Sequence, residues 1–173
     1  MKKEFLIPVV VLFAICLVIS AALAFTNEMT APIIEAAERK TAEEARIEML
    51  PEADGFILVE ADGLPKEVSE IYRANNGAGY VVMMTAQGYG GEISIICGIS
   101  ADGAIVNTKT LSHSETSGIG TKITLEEFAD QFIGADSVLL GVEAITGASI
   151  SSGAYITAVR SALEAYEIVE GVA

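Results

Sequence analysis

From Phe5 to Phe25 the chain reads FLIPVVVLFAICLVISAALAF, without a charged residue. A helix of that length spans about 30 Å, the thickness of the hydrocarbon core of a bilayer. The pattern then changes. Between Thr26 and Leu50, Ile33, Ala37, Ile47 and Leu50 leave only a thin apolar stripe in the charged, alanine-rich EAAERKTAEEARIE. This predicts a second helix, with Thr30 placed to cap it, Pro32 in its first turn and Pro51 to end it. Such a helix is either a solvated connector or a docking helix for neighbouring subunits. From Val68 to Leu111 the pattern is strands joined by glycine-marked turns. GYVVMMTA, EISIICGIS and AIVNTKTL are separated by QGYGG and ADG, which predicts an antiparallel meander.

A polar, glycine-bearing stretch follows, SHSETSGIGTKI, too irregular for a regular element. Thr124 and Glu127 then stand at capping-box spacing before a short helix, with Leu125, Phe128 and Phe132 as its apolar face. DSVLLGVEAI predicts one more strand. The last helix, about Ser152–Val169, keeps Ile156, Val159, Leu163 and Tyr166 on one face. Helix, strands, helix, strand, helix is an α+β order. The expected architecture is an N-terminal single transmembrane helix followed by an antiparallel-sheet domain with packed helices.

Composition sharpens the membrane reading. MKKEF, the apolar run and Ala22–Ala24 resemble a secretory signal, but the run exceeds the 7–15 residues of a signal core, which favours a retained anchor. Lys2 and Lys3 place the N-terminus in the cytoplasm by the positive-inside rule. The division is then residues 1–27 as short tail and anchor, 28–52 as connector and 53–173 as an extracytoplasmic domain at the cell (inner) membrane. With 24 acidic and 10 basic residues among 173, the net charge is −14. That charge repels nucleic acid phosphates and anionic lipid head groups. Cys16 and Cys97, one in the apolar run and one in a strand, cannot meet as a disulfide. No CxxC occurs, and His113 is the only histidine. Iron–sulfur, haem, zinc and catalytic-triad chemistry therefore lack their usual residues, and no catalytic set or metal site is assigned.

The unusual stretch is ITGASISSGAYITAV, Ile145 to Val159, where two glycines and four hydroxyls crowd a strand-to-helix junction. A helix start presents free N–H groups and the positive end of the dipole, a seat for phosphate. Gly147 and Ala148 permit close approach, and Thr146, Ser149 and Ser151 add donors. The bland alternative is that one serine caps the helix and the others are solvated. The lysine and full spacing of a P-loop are missing.

EAITGASISS resembles the flavinylation motif of the covalent FMN-binding domain family. There an Asp, two variable residues, Ser or Thr, Gly and Ala precede the acceptor Thr. Thr146, Gly147 and Ala148 match, Glu143 stands for the Asp, and Ser149 falls at the acceptor hydroxyl. GYGGEISIICGISADGAI resembles the family's Gly-Tyr-x-Gly-x-Ile segment, strand and Asp-Gly turn. HSETSGIGTKI resembles its His-x-Glu-Thr-Pro-Gly-Leu-Gly loop, with Ser117 in place of the Pro. The anchor, TNEMTAPI and the connector are similar to the N-terminal part of the Rnf G subunits, so the resemblance covers nearly the whole chain. The family also holds the C subunits of Na⁺-translocating NADH:quinone reductases, and the short chain favours the Rnf type.

The resemblance implies FMN esterified through its phosphate to Ser149 by a flavin transferase, within a membrane oxidoreductase complex of the ferredoxin:NAD type. It places Thr146, Gly147, Ala148, Ile150 and Ser151 around the attachment point and Glu115 and Thr116 against the flavin. Tyr89 would stack near the ring or anchor a hinge. Lys122 would offset phosphate charge or be a plain surface lysine. A serine hydroxyl forms the same ester as threonine. The subunit is then an electron relay. The alternatives are the C subunit of a Na⁺-translocating NADH:quinone reductase or another flavinylated extracytoplasmic electron carrier, or an anchored binding or assembly module without cofactor in which Ser149 only caps a helix.

Overall fold

A computed structural model describes residues 2–135 and 139–171, with side chains at 2–7 and 35–39 left aside. The chain divides into two units, Met1–Ala42 and Glu43–Ala173. Helix α1, Lys2–Met49, supplies the described residues of the first unit and the opening residues of the second.

Within the first unit, Pro8–Ile34 is a helix long and apolar enough to cross a membrane. The expected helix start at Thr30 is not made. Its hydroxyl donates to the Thr26 carbonyl at 3.0 Å, as the Thr26 hydroxyl does to Ala22 at 2.9 Å. A threonine inside a continuous helix satisfies its hydroxyl on the preceding turn, so it has no free N–H to cap. Pro8 and Pro32 both lie inside the helix.

The second unit is built on a five-stranded antiparallel meander in sequence order: β1 (Phe56–Leu58), β2 (Val68–Ala74), β3 (Gly79–Gln87), β4 (Glu92–Ser100) and β5 (Ile105–His113). β3 and β4 pair without interruption from Gly79↔Ser100 to Gln87↔Glu92. Both faces of this central pair are covered, which is why these strands read as apolar runs rather than as alternation. On one face lie Val82, Met84, Ile93, Ile95, Cys97 and Ile99, beneath Tyr155, Ala158, Val159 and Leu163 of the final helix, α3 (Ser149–Glu170). On the other face, Val81 and Ile96 pack under Ala45, Met49 and Leu50 at the end of α1. The Met49 carbonyl lies so close to Gly98 that a Cβ there would overlap it. Arg46 completes this face, its guanidinium 4.2 Å from the centroid of the Tyr72 ring. Burial pushes the Cys97 thiol up to about 12, so it behaves as a small core residue rather than a reactive group.

Four local expectations are corrected. β1 was not anticipated: it is three residues long and too short to show periodicity. The capping box is absent because Thr124 closes a 3-10 helix, Gly120–Thr124, and its hydroxyl turns back to the Thr121 carbonyl at 2.9 Å. Helix α2 is then one turn, Glu126–Ala129, starting from Leu125 without a side-chain cap. Phe128 and Phe132 are buried as expected, while Leu125 is half exposed.

The last strand expected, DSVLLGVEAI, is not formed over its described part. Leu139–Ile145 runs through turns, with Leu139 at φ 48° and Leu140 83 % exposed. Asp136–Val138 lie outside the described residues. The chain arriving here has already met β5 through Gly134 and Ala135, which bond the backbone of Ile105 at 2.7 and 3.1 Å. Over the described residues that follow, Leu139 is buried in the core and Val142 and Ile145 pack against it without forming a strand. Finally, α3 starts at Ser149, three residues earlier than its apolar stripe suggested.

Phe132 meets Phe128 edge-on at 5.4 Å between ring centroids and Tyr155 at 5.5 Å, with no exposure. Phe132→Ala is expected to lower the stability of the domain by about 3–5 kcal/mol, read as a lower urea midpoint of the full chain in detergent.

Candidate functional site

The first intrahelical bond of α3 runs from the Ser152 N–H to the Ala148 carbonyl at 2.9 Å. The N–H groups of Ser149, Ile150 and Ser151 precede that ladder and point out of the helix end. No side chain caps them; the N-cap residue is Ala148. The serine doing structural work is Ser152, whose buried hydroxyl accepts the Ile145 N–H at 3.0 Å and donates to the Ala148 carbonyl at 2.8 Å. It closes the turn Ile145–Ala148, with Gly147 at φ 85°, a conformation that costs glycine nothing. Ser149 therefore sits on the first helical turn with its side chain exposed.

Facing this helix end is the loop after β5. The His113 ring accepts the Glu115 N–H on Nδ1 at 3.2 Å, and the Thr116 carbonyl accepts the N–H groups of Ile119 and Thr121, each at 3.3 Å. Glu115 is turned inward. Its Oε1 accepts the Gly90 N–H at 3.2 Å, joining the loop to the β3–β4 turn, while Oε2 is buried without a hydrogen-bond partner.

Between the two walls is a cavity of about 320 Å³, lined on one side by Glu115, Thr116, Ile119 and Gly120, on the other by Gly147–Ser151, with Tyr89 at its edge. Its size lies within the range of small-molecule sites. One end offers a hydroxyl, unpaired N–H groups and the helix dipole, which suit a phosphate. The rest offers the apolar surfaces of Tyr89, Ile119 and Ile150 and one buried carboxylate oxygen, which suit a flat apolar ring bearing a hydrogen-bond donor.

Of the expected residues, Ser149, Gly147, Ala148, Ile150, Ser151, Glu115, Thr116 and Tyr89 come together on this cavity. Thr146 is exposed beside it and Lys122 is exposed on the 3-10 helix; neither lines it. Ile119 and Gly120 were missed. The available signal was an isoleucine, half exposed in the fold, set between glycines in an otherwise polar loop.

Residues 88–164, from the β3–β4 turn through most of α3, match the FMN-binding domain family. The chain is 34 % identical to the G subunit of the Na⁺-translocating ferredoxin:NAD⁺ oxidoreductase complex of Acetobacterium woodii, covering 91 % of this chain and 89 % of that one. It is 34 % identical to the G subunit of the ion-translocating oxidoreductase complex of Methanosarcina acetivorans over 98 % of both chains. The chain belongs to the family of G subunits of ion-translocating oxidoreductase complexes. A further member, the G subunit of the proton-translocating ferredoxin:NAD⁺ oxidoreductase complex of Clostridium ljungdahlii, is 26 % identical over 86 % of this chain. The matched segment of this chain carries both walls of the cavity.

Removing the Ser152 hydroxyl leaves the Ile145 N–H without its acceptor. Ser152→Ala is expected to cost about 1–3 kcal/mol and to speed hydrogen exchange at Ile145 and Ala148 while sparing the centre of β4.

Proposed function

We propose that this chain is the electron-transfer subunit of an Rnf-type, ferredoxin:NAD oxidoreductase, holding FMN through a phosphoester on Ser149. The observation that carries the reading is the exposed Ser149 hydroxyl on the first turn of α3, facing the Glu115 loop across one cavity. FMN, when bound, supplies electron transfer in one- or two-electron steps. The chain's own residues do the rest.

Ser149 would hold FMN as a phosphoester: in a transfer made by a flavin transferase, its oxygen would replace the leaving group on the phosphorus of an activated flavin phosphate, and its proton would go to that leaving group. The unpaired N–H groups of Ile150 and Ser151 and the dipole of a 22-residue helix hold the remaining phosphate charge. Ile119, Ile150 and Tyr89 offer apolar area to the ring. Attachment at the phosphate end would leave the redox end of the flavin chemically unmodified.

The Lys2–Lys3 pair ahead of the apolar helix supports a single crossing with the N-terminus in the cytoplasm and the flavin domain outside it. Charges before Glu43 cancel, so the whole net charge of −14 lies in Glu43–Ala173. A partner that docks there meets an acidic surface. A tether keeps the cofactor with the complex in a compartment where a free one would diffuse away.

Membranes from cells expressing the chain with the transferase, denatured and run on a gel, are expected to show flavin fluorescence at the mass of this chain. Ser149→Ala abolishes the band, and Ser149→Thr keeps it. A band that persists in Ser149→Ala places the attachment elsewhere.

A further inference from the structure

Glu115 is only 8 % exposed, and its Oε2 has no hydrogen-bond partner. An unpaired buried carboxylate oxygen is costly. The chain nevertheless makes room for it with three glycines from two segments, Gly88 and Gly90 in the β3–β4 turn and Gly120 in the loop after β5. A Cβ on Gly88 would overlap Oε1 and one on Gly120 would overlap Oε2. A Cβ on Gly90 would overlap the Ser114 carbonyl and come within 2.9 Å of the Glu115 Cα. None of these three glycines has the left-handed backbone that would by itself call for glycine; what they supply is space. Among the described residues, no lysine, arginine or histidine lines the cavity. The slot therefore holds a buried carboxyl group, one oxygen unpaired, against a cavity that no basic side chain lines.

We infer that the Glu115 carboxylate, held in this slot, keeps the reduction potential of the bound flavin low; this rests on the FMN reading above. Full reduction adds two electrons to the ring system. With one proton taken up it gains a negative charge, and with a second proton it gains none. The electrons come from a low-potential reductant, sodium dithionite in the experiment below. A buried carboxylate beside the ring opposes the added charge, because the cavity wall screens it far less than water does. It also accepts a hydrogen bond from a donor on the ligand, which satisfies Oε2. Gly88 and Gly120 are positioning residues: they act through the carboxylate by leaving it space.

The experiment uses the full chain, co-expressed with the transferase and purified in detergent. Intact mass reports attachment, and dithionite titration with mediators, followed by absorbance, reports the potential. Glu115→Gln keeps the shape and the Gly90 contact but removes the charge. It is expected to retain the flavin mass and to favour the reduced form about tenfold, a rise of about 30 mV for a two-electron couple. Gly88→Ala, which pushes the carboxylate aside, raises the potential in the same direction. In the Glu115→Gln background, Gly88→Ala adds nothing further, since the charge it displaces is already gone. An unchanged potential in flavin-loaded Glu115→Gln overturns the inference. So does loss of flavin from that variant alone, which would make Glu115 part of attachment. A wild-type chain without flavin mass sinks the FMN reading itself, a result distinct from both.

Discussion

At the start of α3 a single hydroxyl joins two backbone groups that no regular element would bring together. Ser152 accepts from Ile145 and donates to Ala148, and the turn it closes delivers Ser149 to the first helical position. Had the helix carried a side-chain cap there, that group would occupy the N–H donors a phosphate needs. The cap position is filled by alanine instead, so the dipole end stays open. Everything proposed about the site depends on this exposed junction keeping its shape.

The junction is rigid because of what lies behind it. α3 packs its small and apolar face, Tyr155 through Leu163, onto the sheet, and the Tyr155 hydroxyl meets Thr108 Oγ1 at 3.0 Å within the core. Residues of the sheet also set the opposite wall. The β3–β4 turn contributes Tyr89, and the loop that leaves β5 at His113 contributes Glu115, Thr116, Ile119 and Gly120. The Gly90–Glu115 hydrogen bond ties these two ends together. One wall is thus a helix end and the other the loop after β5, which Glu115 ties to the β3–β4 turn.

The same physics explains what could be read from residues alone. β3, β4 and β5 announce themselves because burial on both faces produces apolar runs bounded by glycine turns. Ser149 stands out because hydroxyls and small residues rarely crowd a helix start without reason. Glu115 did not: in SHSETSGIG it has the look of a solvated loop tip. Its burial comes from Gly88 and Gly90 in the β3–β4 turn and from Gly120, two segments that meet only in three dimensions. The failed strand at Leu139–Ile145 is the converse case. Its residues are apolar enough for a strand, but only Leu139, Val142 and Ile145 pack inward, from a loop, which periodicity cannot distinguish. Likewise, α3 starts before its apolar stripe, because its first turn faces a cavity rather than the core.

The central claim is that an oxygen of this chain is bonded to phosphorus. It is tested most directly by isolating the native complex from its own membranes, digesting it and fragmenting the peptide that contains Ile145–Val159 in a mass spectrometer. The account predicts an added mass of FMN less one water, assigned by fragment ions to Ser149. That peptide recovered wholly unmodified from flavin-replete native complex, or modified at Ser151 or Ser152 instead, would contradict it.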